Sequence, residues 1–88
     1  MNRIADKLNN ASQSDSGSAA MTVIDRLQSF QPGPQVVGLA AAFLFVCEHY
    51  GVAPQEAFTV TKNMMNDADR KLVPEFRAVK MYVEKELP

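Results

Sequence analysis

Val36 to Cys47 read VVGLAAAFLFVC, a run with no polar side chain in it. As a helix the run is about 18 Å long at 1.5 Å per residue. A bilayer's hydrocarbon core is about 30 Å thick and takes roughly 20 apolar residues to cross. The run therefore predicts a buried core helix and not a membrane span. Pro34 suits a first helical turn, and Gly51 suits the left-handed position that closes a helix. Together they predict a central helix over 34–50.

At about 100° per residue, Val36, Leu39, Phe43, Val46, Cys47 and Tyr50 share one broad face of that helix. Val37, Ala41, Leu44 and Phe45 lie on the other side, with Gly38 and Ala42 beside them. A surface helix keeps a polar back, and this one has none. The flanking helices are expected to cover the first face. The second face must meet either the preceding helix or another copy of the chain. Val37, Gly38, Ala41, Ala42, Leu44 and Phe45 are thus a candidate oligomer interface, where Gly38 and Ala42 would let a second backbone approach. Closed symmetric homodimers are the commonest soluble assemblies.

The flanking sequence predicts three more helices. Ala20, Val23, Ile24, Leu27 and Phe30 recur at three- and four-residue steps, which predicts a helix over 19–30 capped by Ser18. Gln31-Pro32-Gly33-Pro34 stops it. A third helix begins near Pro54, with Glu56 at its positive end and a buried stripe of Ala57, Val60, Thr61, Met64 and Ala68. Phe58 and Met65 widen that stripe. Residues 66–73, NDADRKLV, form a solvated connection. A last helix runs from Pro74 to about Leu87, with Phe76, Val79, Val83 and Leu87 inward. No segment alternates as a strand does. The fold class is all-α, a compact bundle of three to four short helices around an apolar central one.

Residues 1–11 carry Ile4, Leu8 and Ala11 at helical spacing, too short a stretch to persist without a docking surface. Residues 12–18, SQSDSGS, have no apolar side chain and read as a flexible linker. The domain division is therefore a flexible N-terminal tail over 1–18 and a helical domain over 19–88.

Several function classes lack support in the composition. Ten acidic and nine basic residues give a net charge of −1, which removes the bulk electrostatic argument for nucleic acid. Cys47 is the only cysteine, so an intrachain disulfide and a Cys-based zinc cage are excluded. A free thiol in an apolar run fits a reducing cytosol. MNRIADKLNN has no apolar core of a secretory signal, so a cytoplasmic location is expected. Cys47, Glu48 and His49 are adjacent, but neighbours on a helix diverge by about 100° and cannot form one catalytic cluster. His49 has no partner at metal-ligand spacing. Asp67 and Asp69 open like a calcium loop, yet Lys71, Leu72 and Ala78 stand where oxygen ligands and glycine are needed. No catalytic, cofactor or metal residue is therefore expected.

One motif points elsewhere. In VCEHYGVAPQEAFTVTKNM, Cys47, Gly51, Val52, Ala57 and Val60 have the spacing of two helices crossing around a tight glycine turn. A helix-turn-helix regulator would read base edges with Gln55, Asn63 and Asn66. It would hold phosphates with the basic group Arg70, Lys71, Arg77 and Lys80. Glu75, Asp67 and Asp69 dilute that group.

The stretch EHYGVAPQEAFTVTKNMMNDAD followed by PEFRAVKMYVEKEL resembles small, uncharacterised helical proteins of tailed bacteriophages. The likeness covers residues 35 to 88 at most and carries no functional residue. It implies a compact protein acting in a bacterial host cytosol on a host or phage partner. The residues themselves point to a non-enzymatic helical interaction or regulatory module that self-associates or binds another protein, without cofactor or membrane. The DNA-binding regulator is the alternative.

Overall fold

The computed structural model describes Leu8 and residues 10–88. Four helices follow one another: α1 Gln13–Leu27, α2 Pro32–Tyr50, α3 Pro54–Met65 and α4 Pro74–Glu86. The protein is a small all-α bundle, and among the described residues there is only one isolated β-bridge, Asn66 to Leu72. Three of the four helices place proline in their first turn. That position loses nothing by the missing N–H, and the ring presets the helical φ.

α1 begins six residues before its expected start. Ser12, not Ser18, is the cap: its hydroxyl accepts from the Asp15 N–H at 3.1 Å. Asp15 also places a negative charge in the first turn, where the helix dipole favours it. The SQSDSGS stretch is therefore the opening of a helix, and the expectation of a linker over 12–18 is corrected. Its polar composition hid a packing contact, because Gly17 is buried against Glu75 at the start of α4. Ile4 lies outside the described residues. Leu8 packs on the cluster of Cys47, Val52 and Ala57, so this side chain is not isolated from the core as the tail reading implied. The Gln13 amide adds a second tie, donating to the Met64 carbonyl at 3.1 Å.

Packing divides the helices into two pairs, α1 with α4 and α2 with α3. Gly17, Ala20, Met21, Ile24 and Leu27 turn towards α4, which offers the buried Phe76 and half-buried Val79 and Val83. A polar clasp finishes this pair. The Tyr82 hydroxyl donates to the Asp25 carboxylate at 2.9 Å, and the Gln28 amide donates to the Tyr82 oxygen at 3.2 Å. Donation to Asp25 raises the Tyr82 pKa above the ordinary 10.0. Val23 sits at the rim of the face and Phe30 beyond the helix end; both are exposed rather than inward as expected.

α2 and α3 meet at the Gly51 turn. Gly51 adopts φ 67°, ψ 30°, the left-handed conformation that lets its N–H reach back to the last carbonyls of α2. Val52 N–H closes on the Cys47 carbonyl at 2.8 Å. Between α3 and α4, Asp67 organises the connection by accepting from the Asp69 and Lys71 N–H groups at 2.8 and 2.9 Å. Met65 is half-buried, whereas Ala68, expected in the buried stripe of α3, is exposed on the connection.

The molecule measures 41 × 31 × 18 Å. Among the described residues no side chain is fully buried.

Two substitutions in α1 test these contacts in opposite directions. Ser12→Ala removes the cap and should cost about 1 kcal/mol, lowering the thermal midpoint by about 4–8 °C. Gly17→Ala should raise it. A Cβ there would lie 3.5 Å from the nearest Glu75 atoms, an ordinary contact. Removing glycine from a helix interior gains about 0.5–1 kcal/mol. Thermal melts followed by circular dichroism check both, and a loss of stability in Gly17→Ala would contradict the α1–α4 geometry.

Candidate functional site

α2 is fastened at its ends and bare between them. At the amino end, Gln35 is the buried polar residue. Its amide donates to the Leu27 and Phe30 carbonyls, each at 2.8 Å, and so ties the start of α2 to the backbone where α1 stops. At the carboxyl end, Cys47 packs with Val52 and Ala57. Those two, Gln35 and Cys47, are the buried residues of α2.

The large apolar side chains between them face outward. On the candidate interface Val37 is 69 % exposed, Leu44 52 % and Phe45 70 %. Ala42 is exposed and Ala41 half-buried, and a Cβ at Gly38 would meet nothing within 4 Å. The opposite face is also open, with Val36 at 69 % and Val46 at 56 %, and Leu39, Phe43 and Tyr50 exposed too. The expectation that the flanking helices cover Val36, Leu39, Phe43, Val46 and Tyr50, making α2 a buried core helix, is corrected. The physical reason is supply. α1 turns its apolar side to α4, and α3 reaches only the last turns of α2.

Near that junction Leu8, Phe43, Val46, Tyr50, Val52 and Ala57 line an apolar recess of 220 Å³. It continues the Val36–Tyr50 face into the fold. Phe58 on α3 is exposed as well, with the Lys62 ammonium 5.2 Å from its ring centre. No Asp, Glu, Lys or Arg occurs from Leu27 to Cys47. No single helix among the described residues is long and apolar enough to cross a membrane; α2 and α3 reach that extent only together, bent by 109°.

The other candidate residues have plainer settings. Cys47 is buried, whereas Glu48 and His49 are exposed, and the His49 ring stands edge-on to Tyr50 at 4.8 Å. Among the described residues no three His, Cys, Asp or Glu side chains are placed to hold a metal ion. Arg70 and Lys71 occupy the α3–α4 connection, where Arg70 takes φ 61°, unusual for a residue with a side chain. Arg77 lies in the first turns of α4 and donates to the Leu72 carbonyl at 3.0 Å, which brings it to the same connection. Lys80 is exposed about one turn further along α4. The basic group therefore sits on the connection and α4, not on α3.

Sequence reasoning missed Gln35, Gln13 and the Asp25–Gln28–Tyr82 clasp. Each is a polar side chain answering a backbone or side-chain partner in another segment, and hydrophobic periodicity carries no signal for that. The chain matches no family model, no curated protein and no solved structure.

Proposed function

We propose that this protein is a non-enzymatic helical interaction module that self-associates through α2. The observation that supports the reading is an apolar helix left open on both sides. The largest contiguous apolar patches on monomers are themselves about 300–600 Å² and commonly functional. From Pro32 to Cys47 α2 carries no charged side chain, so no like-charge repulsion along that stretch opposes the approach of identical copies. Phe45, the most exposed of its large side chains, is the natural anchor.

Light scattering on the native chain at tens of micromolar tests this. The expected mass is a multiple of 9.7 kDa. Phe45→Asp should lower the mass while keeping the helical signal, because each copy loses the burial of one Phe, worth about 1.5–3 kcal/mol. A native monomer would overturn the reading.

The second reading is a small DNA-binding regulator. It draws on the 109° bend between α2 and α3, within the range of helix-turn-helix pairs, and on the small residues Cys47, Val52 and Ala57 packed at the turn. Against it, Lys62 is the only basic residue on α3. Gel shifts at low salt separate the readings, since phosphate contacts release counterions and respond steeply to salt. Self-association alone predicts no shift at micromolar protein. A shift abolished by changing Arg70, Lys71, Arg77 and Lys80 together to Ala would establish the regulator instead.

A further inference from the structure

Glu48 sits at the unfavourable end of its own helix. It is the one acidic side chain of α2, which carries no Lys or Arg. It lies exposed in the last turn, where the helix dipole is negative and disfavours a carboxylate. The start of α2 lacks the matching charge. α1, α3 and α4 each hold an acidic residue in the first turn, Asp15, Glu56 and Glu75, and α2 holds none. Its N-cap residue, Gln31, makes no side-chain cap hydrogen bond. Gly33 is exposed in that turn, with nothing within 4 Å of a Cβ position. One copy thus has a carboxylate at its negative end and no acidic residue at its positive end.

Both ends lie on the face of Val37, Leu44 and Phe45. α2 runs from Pro32 to Tyr50, with Ala41 at its middle. At 100° per residue, Glu48 falls about 20° to one side of Ala41 and Pro34 about 20° to the other. Phe45 and Val37 lie about 40° to either side, and Leu44 and Gly38 about 60°. The opposite face, around Phe43 and Tyr50, does not include Glu48.

Resting on the self-association reading, we propose that two copies pair antiparallel on the Val37–Phe45 face about a two-fold axis through Ala41, each Glu48 carboxylate lying against the first turn of the other copy's α2. Such an axis sets each residue level with the one equally far from Ala41 in the other direction. Glu48 meets the second copy's Pro34, beside the exposed Gly33, and the charge missing from one copy's first turn comes from the other. Phe45 lies level with the second copy's Val37. Leu44 lies level with the second copy's Gly38, where nothing stands within 4 Å of a Cβ position, so a large side chain meets a gap. A parallel pair on the same face would instead set the two Glu48 carboxylates side by side, and like charges repel.

Cysteine cross-linking and sedimentation test the direction and the register. Under copper-phenanthroline oxidation Ala41→Cys should give covalent dimers, which the native chain, whose one thiol is buried, does not form. Val37→Cys should not cross-link. The two copies of that residue stand eight helical steps apart, about 12 Å, beyond the about 4.4–6.8 Å between Cα atoms that a disulfide spans. Glu48→Gln should keep the helical signal and raise the dissociation constant about 3–30-fold, since two dipole contacts are lost per pair. The same change relieves the negative end of its own helix, so an effect on the fold alone would not weaken the pair. A native chain that self-associates while Ala41→Cys stays uncrosslinked would overturn this pairing and leave the self-association reading standing. Cross-linking of Val37→Cys as readily as Ala41→Cys, or tighter association of Glu48→Gln, would overturn the antiparallel direction. A monomeric native chain would overturn the pairing and the reading beneath it.

Discussion

Apolar surface kept in water costs about 25 cal/mol per Å², and in this protein that constraint falls on one helix. α2 combines an uncharged run longer than any other in the chain with the least coverage by its neighbours. The rest of the fold fixes α2 in place without enclosing it. Gln35 ties its start to the end of α1, and the Gly51 turn ties its end to α3. The α1–α4 pair, closed by Ile24, Phe76 and the Tyr82 clasp, forms a platform beside it.

The small size of the chain fits the same account. Below roughly 70–80 residues, and not far above, a single core supplies only a few kcal/mol, and oligomerisation is one of the ways that nature supplements it. Here Cys47, Val52 and Ala57 form one small buried cluster at the α2–α3 junction, and the other buried apolar residues, Ile24, Val73 and Phe76, lie outside it. Joining copies through α2 would add the large dry core that neither group supplies alone.

Much of this architecture was legible in the sequence, and the failures have physical causes. Pro54, Pro74 and Gly51 announce helix boundaries because their backbone restrictions are local, and the structure uses each of them there; the central helix instead starts at Pro32, two residues before the expected Pro34, and α1 ends at Leu27, three before the expected Phe30. The start of α1 was illegible because SQSDSGS is polar throughout. Its helical state depends on the Ser12 cap and on Gly17 lying against Glu75, a contact 58 positions away in the chain. Helical periodicity groups the residues of α2 into two faces. It could not tell that both stay uncovered, since coverage depends on where the other helices turn their own apolar sides. The candidate interface residues Val37, Leu44 and Phe45 are exposed where the sequence placed them. Their opposite numbers Val36, Phe43 and Val46 are exposed against expectation.

The central claim is that α2 is covered by other copies of the same chain, so that folding stability and assembly are linked. Thermal unfolding at two protein concentrations a hundredfold apart measures that linkage most directly, because association that stabilises only the folded state makes the midpoint depend on concentration. The account requires the midpoint to rise with concentration, and the dependence to shrink in Phe45→Asp. An identical midpoint at both concentrations, in a chain that unfolds reversibly, would contradict it.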